Sequence, residues 1–460
     1  MSLLWLPIGL LPSIACGWLL LRLAEGSSPV LYKYERAVAG FVLGGIFTTF
    51  TIFLTEITGI GSFSFLSMLV TQLVLMMILG GLYWKNKEKL TANCQLITDN
   101  SSWKPWQKIA TGILSVWILA KLVSGIILLS GPAYFDDTLS NWNIRAKAFY
   151  HHQELILELE PGKGTGIGSY PQSVPLLKTW LAHLNGEWHE ALANSLHILW
   201  YLSALVLVYF AIRRLLNTKW ALLGTYILAS VPLYTMHGAS AYGDCFLSVV
   251  IFLALSWVFF AAKSEGQERM SFIKLGSIAA ALLVYTKSEA ILLHLPPIIV
   301  LVAGLMLLGG MSTSQKRSTL LWYGACVSAV LLPWVGFKWM NNLGFGNAKD
   351  VSGMTLEWHE GVLQAIGLNT FWEGNWNLLP VLFLGLIIYK WRSAFRSHLA
   401  YLTGFVLVVI IGQLPIYMFT ALHVEALNQT GYARGIIHLI PVIVVITTVL
   451  LHQVLDRDAR

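Results

Sequence analysis

The chain has 460 residues, of which 56% are apolar and only 12% are charged, and its mean hydropathy is +0.66. Water-soluble proteins carry about 25% charged residues, so this composition excludes a soluble globular protein. The net charge of +7 would suit a nucleic-acid partner in a soluble chain, but membrane topology accounts for it, and no nucleic-acid partner is expected. Apolar runs cover most of the sequence, which predicts one polytopic bundle of α-helices surrounded by membrane lipids.

A helix needs about 20 apolar residues to cross a bilayer. On this criterion the sequence predicts about thirteen transmembrane helices, and the three that begin at Trp220, Phe272 and Leu378 are short. In chain order the predicted spans cover residues 3–23, 38–54, 63–83, 109–129, 191–212, 220–233, 245–262, 272–285, 290–308, 320–337, 378–389, 399–420 and 435–451.

The lysine and arginine residues predict the orientation, because cytoplasmic loops hold the excess of these residues. With thirteen spans, 21 of them fall in one alternate set of connections and 8 in the other, while Lys121 lies inside a span. This distribution predicts an N-terminus outside and a cytoplasmic C-terminus. The expected location is the bacterial inner (plasma) membrane.

Two long segments, residues 130–190 and 338–377, fall on the predicted outer side. Long loops in compact proteins are usually functional or disordered, and these two are rich in aromatic and apolar residues. In the first, apolar side chains recur at spacings near three and four around residues 142–150 and 174–184. The pattern predicts two amphipathic helices that lie in the membrane interface.

Polar and charged residues gather where the predicted spans reach the outer face. Asp136 and Asp137 follow the fourth span, and Asp244 opens a later one. Further such residues at outer span ends are Lys287, Glu289, Arg434 and His438. Such groups are costly near hydrocarbon unless they pair or serve a pathway, so the sequence predicts that they share one site.

These motifs resemble the GT-C class of integral-membrane glycosyltransferases, which use polyprenyl-phosphate sugars and include protein O-mannosyltransferases and lipid A aminoarabinose transferases. The resemblance rests on Asp136-Asp137 in the first long outer loop, on the segments YGDCFLSVV and TKSEAILL, and on the arginine-led last span with Pro441. It implies a GT-C-like catalytic region in residues 103–460. The class places the acidic loop after its first span, whereas here it follows the fourth, so residues 1–102 form three additional helices.

The resemblance implies that a sugar moves from an undecaprenyl- or dolichyl-type phosphate to a lipid, glycan or protein acceptor at the extracytoplasmic face. The departing phosphate needs no general acid, so one carboxylate suffices as the base. Asp136 or Asp137 would take the proton of the acceptor, and a single displacement would invert the anomeric carbon. Lys287, Arg434 and Lys338 would hold the donor phosphate.

The remaining predicted site residues are those that would contact the sugar or the acceptor from the outer side. Aromatic side chains offer flat surfaces to sugar rings, and polar side chains exchange hydrogen bonds with hydroxyl groups. This substrate-binding set is Asn141, Trp142, Tyr170, Asp244, Glu289, Trp372 and His438. No certain cofactor follows from the sequence, and because members of the class differ in metal use, a divalent metal stays open.

Several of these residues have an alternative structural interpretation. Asp136, Asp137 or Asp244 could cap a helix N-terminus, and Asp244 could simply pair with Lys287. Lys287 and Arg434 could also lie at the membrane interface without a substrate. One cluster has the spacing of a metal site, but interfacial polar side chains are the simpler interpretation of it: His183, Glu187, His189 and Glu190.

Other functions are compatible with a polytopic chain. A transporter or flippase for a lipid-linked saccharide would place key charges near the bilayer midplane, where this sequence has mainly Lys121. An O-antigen polymerase or ligase would be expected to use arginines in its outer loop, and the first outer loop has only Arg145. A membrane scaffold would leave the acidic pair at residues 136–137 without a use. The sequence therefore favours a glycosyltransferase.

Overall fold

The structure, a computed structural model, describes residues 4–90, 103–133, 136–158, 168–344 and 357–455. Residues 345–356 of the predicted outer loop 338–377 lie outside these ranges. The regular elements in the described ranges are helices, so the predicted all-α class is confirmed. In chain order they are α1 (Trp5–Glu25), α2 (Lys33–Ile57), α3 (Phe65–Lys85), α4 (Pro105–Ser130), α5 (Ile144–His152), α6 (Ser173–Asn185), α7 (Glu190–Leu215), α8 (Thr218–Ala229), α9 (Pro232–Gly238), α10 (Gly243–Lys263), α11 (Gly266–Leu283), α12 (Leu295–Leu308), α13 (Thr313–Met340), α14 (Val362–Phe371), α15 (Leu379–Tyr389), α16 (Trp391–Arg396), α17 (Ala400–Phe419), α18 (His423–Leu427), α19 (Gly431–Ile437) and α20 (Ile440–Leu455), with π-helices at Thr138–Asn143 and Ala290–His294 and a 3-10 helix at Lys87–Leu90.

Nine helices in the described ranges are long and apolar enough to cross a membrane, and the chain is an integral membrane protein. They are α1, α2, α3, α4, α7, α10, α12 with the π-helix before it, α13 and α17. A tenth span is formed if α19 and α20 are taken together across a bend of 52°. These ten correspond to ten of the thirteen predicted spans.

The count of thirteen is not confirmed, and the three short predicted spans account for the difference. α8 has 12 residues and stops before Pro232, which lacks a backbone N–H and favours an extended conformation at Val231. α15 has 11 residues. α11 has 18 residues, but it begins with Glu268 and Arg269 near its N-terminus and is buried along most of its length. Its apolar run is part of the protein core, and with Lys274 the helix has three charged residues, which sets it apart from the equally buried span α10.

The two helices predicted in the outer segment 130–190 are present as α5 and α6, but α6 is buried. Its residues from Ser173 to Ala182 are all buried, because α1, α2, α3, α5 and α7 pack around it. The indole N–H of Trp180 donates to the carbonyl of Gly9 at 2.8 Å, and the ring of Phe65 stacks on the same indole at 5.6 Å. The additional N-terminal helices thus hold the outer segment in place, while the division of the chain at residue 102 stays a prediction.

α1 and α2 cross at glycine residues. A Cβ atom added to Gly44 would lie 2.0 Å from the carbonyl oxygen of Ser13, and one added to Gly17 would lie 1.9 Å from that of Gly40. Small residues allow two membrane helices to bring their backbones into direct contact. The crossing therefore depends on the absence of side chains at these positions.

We expect Gly44→Ala to destabilise the protein by about 1–3 kcal/mol, because the added methyl group must push the two backbones apart. Gly80→Ala in α3 is the matched control, since no heavy atom lies within 4 Å of its Cβ position. At that control site the higher helix propensity of alanine makes the change neutral or stabilising. Thermal unfolding in detergent measures both variants, and equal melting temperatures would contradict the tight crossing.

Basic residues that the topology prediction places in the cytoplasm meet at one end of the bundle. Arg36 Nε lies 2.8 Å from a carboxylate oxygen of Glu25, and Arg214 Nη2 lies 2.7 Å from one of Glu35. These pairs join the end of α1, the start of α2 and the end of α7. Because α7 begins at Glu190, the end of the outer segment that leads into it lies at the opposite end of the bundle.

Candidate active site

The acidic pair starts a helical segment at the end of the bundle opposite the basic residues. Asp136 and Asp137 directly precede the π-helix Thr138–Asn143, which continues into α5. The side chain of Asp137 makes no capping hydrogen bond there, so helix capping does not explain it. π-Helical turns are rare and are frequently found at functional sites.

Asp136 is held in place by two hydrogen bonds. The hydroxyl of Tyr242 donates to its Oδ1 at 2.8 Å, and the backbone N–H of Asp137 donates to the same oxygen at 2.7 Å. Both bonds lower the pKa of Asp136 below its usual value, and the bond from Tyr242 has the larger effect. The carboxylate is therefore ionised at neutral pH, the state that a general base requires.

A second carboxylate, that of Asp244 in the first turn of α10, lies at the centre of the charged cluster. It is fully buried. Its Oδ1 lies 2.8 Å from Lys287 Nζ and 3.0 Å from His438 Nε2, and its Oδ2 lies 3.0 Å from Arg434 Nε and 3.4 Å from His237 Nδ1. A buried carboxylate is tolerated only when it is paired in this way. The pair with Lys287 is thus one part of a larger network.

Arg434 in α19 joins the buried Asp244 to the acidic pair. Its Nη2 lies 2.6 Å from Asp137 Oδ2 while its Nε contacts Asp244, and its Cζ lies 5.1 Å from the centre of the Tyr242 ring. The side chain of Asp137 is 23% exposed, whereas that of Asp244 is not exposed at all. The guanidinium group therefore has one buried and one accessible partner.

Lys287 and Glu289 directly precede the second π-helix, Ala290–His294. Besides contacting Asp244, Lys287 Nζ lies 3.1 Å from Glu289 Oε1. Burial alone would lower the pKa of Lys287, but the two carboxylates hold it above its usual value. The ammonium group is therefore charged, as binding of an anion requires.

Histidine side chains extend this network into the bundle. The Nδ1 atom of His438 lies 3.3 Å from His294 Nε2, and His294 ends the second π-helix. Sequence reasoning did not single out His294, His237 or Tyr242. A histidine inside an apolar run adds no periodic pattern, so the only available signal was its position near the outer end of a predicted span.

Three predicted substrate-binding residues are grouped around a buried arginine beside this network. The indole of Trp142 fills the space next to Gly243, where an added Cβ would lie 2.6 Å from the ring. The Cζ of Arg145 lies 5.0 Å and 5.7 Å from the rings of Trp142 and Tyr170. Arg145 Nε also donates to the carbonyl of Asn141 at 3.0 Å. These residues form a wall next to the start of α10.

Two predicted site residues lie apart from the Asp244 carboxylate. Lys338 Nζ donates to the carbonyl oxygens of Ser169 and Gly344. Trp372, at the end of α14, is 80% exposed and is not among the contacts of the network. The roles assigned to Lys338 and Trp372 stay predictions.

The cluster with metal-site spacing is divided among separate contacts. His183 Nε2 lies 2.8 Å from the carbonyl oxygen of Phe63, and His189 Nδ1 accepts the backbone N–H of Leu192 at the start of α7. Glu190 accepts the backbone N–H of Ala133 and the amide of Asn143. In the part of the chain that the structure describes, no group of three His, Cys, Asp or Glu side chains could hold a metal ion.

A buried lysine lies beneath the acidic segment. Lys178 in α6 donates to the side-chain carbonyls of Asn143 at 2.7 Å and Asn194 at 2.9 Å. Burial lowers its pKa to about 7, although Glu190 acts in the opposite direction. The side chain joins α6 to α7 and to the residue at the end of the first π-helix.

We expect the stability of the protein to depend on the ionisation of Lys178. In the unfolded chain the pKa of this lysine is about 10.4. Between pH 7 and pH 10 the unfolded state therefore binds more protons than the folded state. The free energy of unfolding then rises with pH by up to about 1.4 kcal/mol per pH unit. Lys178→Met is expected to remove this part of the slope, and Lys147→Met on α5 to retain it. Melting temperatures at pH 7.0 and 9.0 test this, and identical slopes in the Lys178→Met variant and the wild type would contradict it.

Comparisons with known proteins agree with this architecture. Residues 171–337 match the family described as dolichyl-phosphate-mannose-protein mannosyltransferase. Curated protein sequences include no detectable relative. The fold is similar to that of ArnT from Cupriavidus metallidurans in two crystal structures. The structure bound to undecaprenyl phosphate has a TM-score of 0.55 and 14% sequence identity over 75% of this chain. The structure in the apo state has a TM-score of 0.53 and 15% sequence identity over 76% of this chain. The chain spans 61% of the length of both ArnT structures. The predicted resemblance to the GT-C class and its fold is confirmed.

Proposed function

We propose that this protein is a membrane glycosyltransferase that moves a sugar from a polyprenyl-phosphate donor to an acceptor at the extracytoplasmic face. One observation carries the proposal: Arg434 lies within contact of both Asp137 and the buried Asp244, which also contacts Lys287. Carboxylates and two cations thereby lie in one cluster, whose accessible side is formed by Asp137 and Arg434. This is the set of groups that transfer from a lipid phosphate needs.

The acidic pair supplies the base. A carboxylate of Asp136 or Asp137 takes the proton from the hydroxyl or amine of the acceptor as the acceptor atom attacks the anomeric carbon. The bond from that carbon to the phosphate oxygen breaks at the same time, and its electron pair leaves with the phosphate. A single displacement from the opposite side inverts the anomeric carbon.

The cations stabilise the leaving group. The donor is a phosphodiester with one negative charge, and the released polyprenyl phosphate carries a second. Arg434 and Lys287 lie where they can bind this growing charge, and interactions that strengthen in the transition state increase the rate. The acceptor amine or hydroxyl then approaches from the side of Asp136 and Asp137, the more exposed part of the cluster.

A polyprenyl phosphate is the donor class with independent support. One of the similar structures is bound to undecaprenyl phosphate, and the matched family is described by a dolichyl-phosphate sugar. Both are long isoprenoid phosphates, which enter a membrane protein laterally between helices. The acceptor is a lipid, a glycan or a protein.

The transporter interpretation has less support. A transporter is expected to hold its key charges at the bilayer midplane. The cluster instead joins helix ends and connecting segments, namely the start of α10, the segment before each π-helix, and α19. Lys121, within α4, lies over the ring of Trp117 at 4.9 Å.

A transfer assay tests the proposal. The purified protein in lipid nanodiscs is given radiolabelled undecaprenyl-phosphate mannose, glucose or aminoarabinose, together with solubilised envelope lipids, glycans and proteins as acceptors. The wild type is expected to label an acceptor, and Asp136→Asn or Asp137→Asn to lower the rate by about 100-fold or more. Glu265→Gln, at the opposite end of the bundle, is the control and retains the rate. Full turnover in both folded aspartate variants would overturn the base assignment.

A further inference from the structure

The two carboxylates that contact Arg434 differ in how firmly they are held. Asp244 is buried and has three other partners, Lys287, His237 and His438. Asp137 is partly exposed, and among the residues that the structure describes its side chain forms a salt bridge with Arg434 alone. Removal of Asp244 from the cluster would leave buried charges without a partner, whereas Asp137 can turn towards solvent.

The guanidinium group is fixed on its buried side. Its Nε contacts Asp244, and its plane lies near the ring of Tyr242, so its Nη2 points to the accessible side, where Asp137 now lies. An anion that approaches Arg434 from the side of the partly exposed Asp137 meets this same nitrogen. An incoming phosphate therefore competes with Asp137 and leaves the contact with Asp244 intact.

The neighbouring Asp136 is held by a different contact. Its carboxylate accepts the hydroxyl of Tyr242 at 2.8 Å, and it has no salt bridge to Arg434. A phosphate at Arg434 can thus displace one member of the acidic pair while the other keeps its position. The two adjacent aspartates are therefore not equivalent.

We propose that Asp137 occupies the donor-phosphate position on Arg434 in the free protein, and that donor binding displaces it towards the acceptor. This inference rests on the proposed function and adds an order to it. Before the donor binds, the Asp137 carboxylate is paired with Arg434 and faces away from an acceptor. After the donor binds, the phosphate takes over Nη2, and the released carboxylate is available to the acceptor. Donor binding therefore precedes productive acceptor binding.

The test is the affinity of the full-length protein for undecaprenyl phosphate, measured by thermophoresis in nanodiscs. Asp137→Asn keeps the shape of the side chain and removes the charge that competes for Arg434, so binding is expected to become about five-fold tighter, the size of one partly exposed ion pair. Asp136→Asn is the matched control, and its affinity is expected to stay within about two-fold of the wild type. Asp137→Ser is a second variant with the same expected gain if the asparagine variant does not fold.

The outcomes separate this inference from the proposed function. Tighter binding by the Asp137 variants alone supports the displacement. Equal or weaker binding by these variants, with normal binding by the wild type, overturns the displacement and leaves the proposed function standing. Absence of binding by all the proteins overturns both.

Initial-rate kinetics give a second readout of the binding order. Undecaprenyl phosphate is expected to compete with the donor and not with the acceptor. Competition with the acceptor would overturn the order.

Discussion

Replacement of Asp244 by asparagine is expected to destabilise the protein by about 3–5 kcal/mol and to abolish sugar transfer. The carboxylate is fully buried and accepts contacts from Lys287, Arg434 and two histidines. Asparagine has no charge, and its amide nitrogen is a donor that would face other donors. The buried Lys287 and the partly exposed Arg434 would then lack their common partner.

Thermal unfolding in detergent and the transfer assay measure this effect. Glu289→Gln is the control for stability, because Glu289 is 36% exposed and, within the described part of the chain, forms a salt bridge with Lys287 only. Loss of such a pair costs about 1 kcal/mol or less. If Asp244→Asn unfolds at the wild-type temperature, the buried carboxylate does not organise the cluster, and the site would have to be placed elsewhere.

Replacement of Arg434 by lysine is expected to lower the rate of transfer by about 100-fold or more, with the fold retained. Arginine contacts Asp244 through Nε and Asp137 through Nη2 at the same time. Lysine keeps the charge but has one nitrogen, which cannot hold the buried carboxylate and a phosphate in the same geometry. Charge alone is therefore not sufficient at this position.

Initial rates with saturating acceptor, together with the affinity for undecaprenyl phosphate, measure the change. Arg392→Lys is the matched control, since Arg392 lies in the exposed helix α16 and takes no part in the cluster. It is expected to retain the wild-type rate. An Arg434→Lys variant that transfers sugar at more than about half the wild-type rate would show that Arg434 does not bind the leaving phosphate.

Much of the cluster could be predicted because topology and charge act together. Asp137, Asp244, Lys287 and Arg434 all lie at span ends that the distribution of lysine and arginine places on one side, and the structure brings them within contact distance. Each span end is defined by an abrupt change from polar to apolar residues. Such changes remain readable even when the boundaries shift by two to four residues.

Other features could not be predicted because they depend on tertiary packing. The apolar run of α11 looks like a lipid-facing helix, yet its residues are buried against other helices. α6 has the pattern of an interfacial helix, but α1 to α3 cover it. The contact between His438 and His294 depends on the approach of the second π-helix to the end of α19, which a single sequence does not encode in any local pattern.

A density map of the protein with undecaprenyl phosphate in nanodiscs tests the central claim most directly. We expect the phosphate about 3 Å from Nη2 of Arg434, on the same side of the cluster as Lys287, with Asp136 and Asp137 facing the space where an acceptor would lie. A phosphate at the opposite end of the bundle, near Arg36 and Arg214, would contradict the account. So would a bound lipid that leaves Arg434 without any phosphate contact.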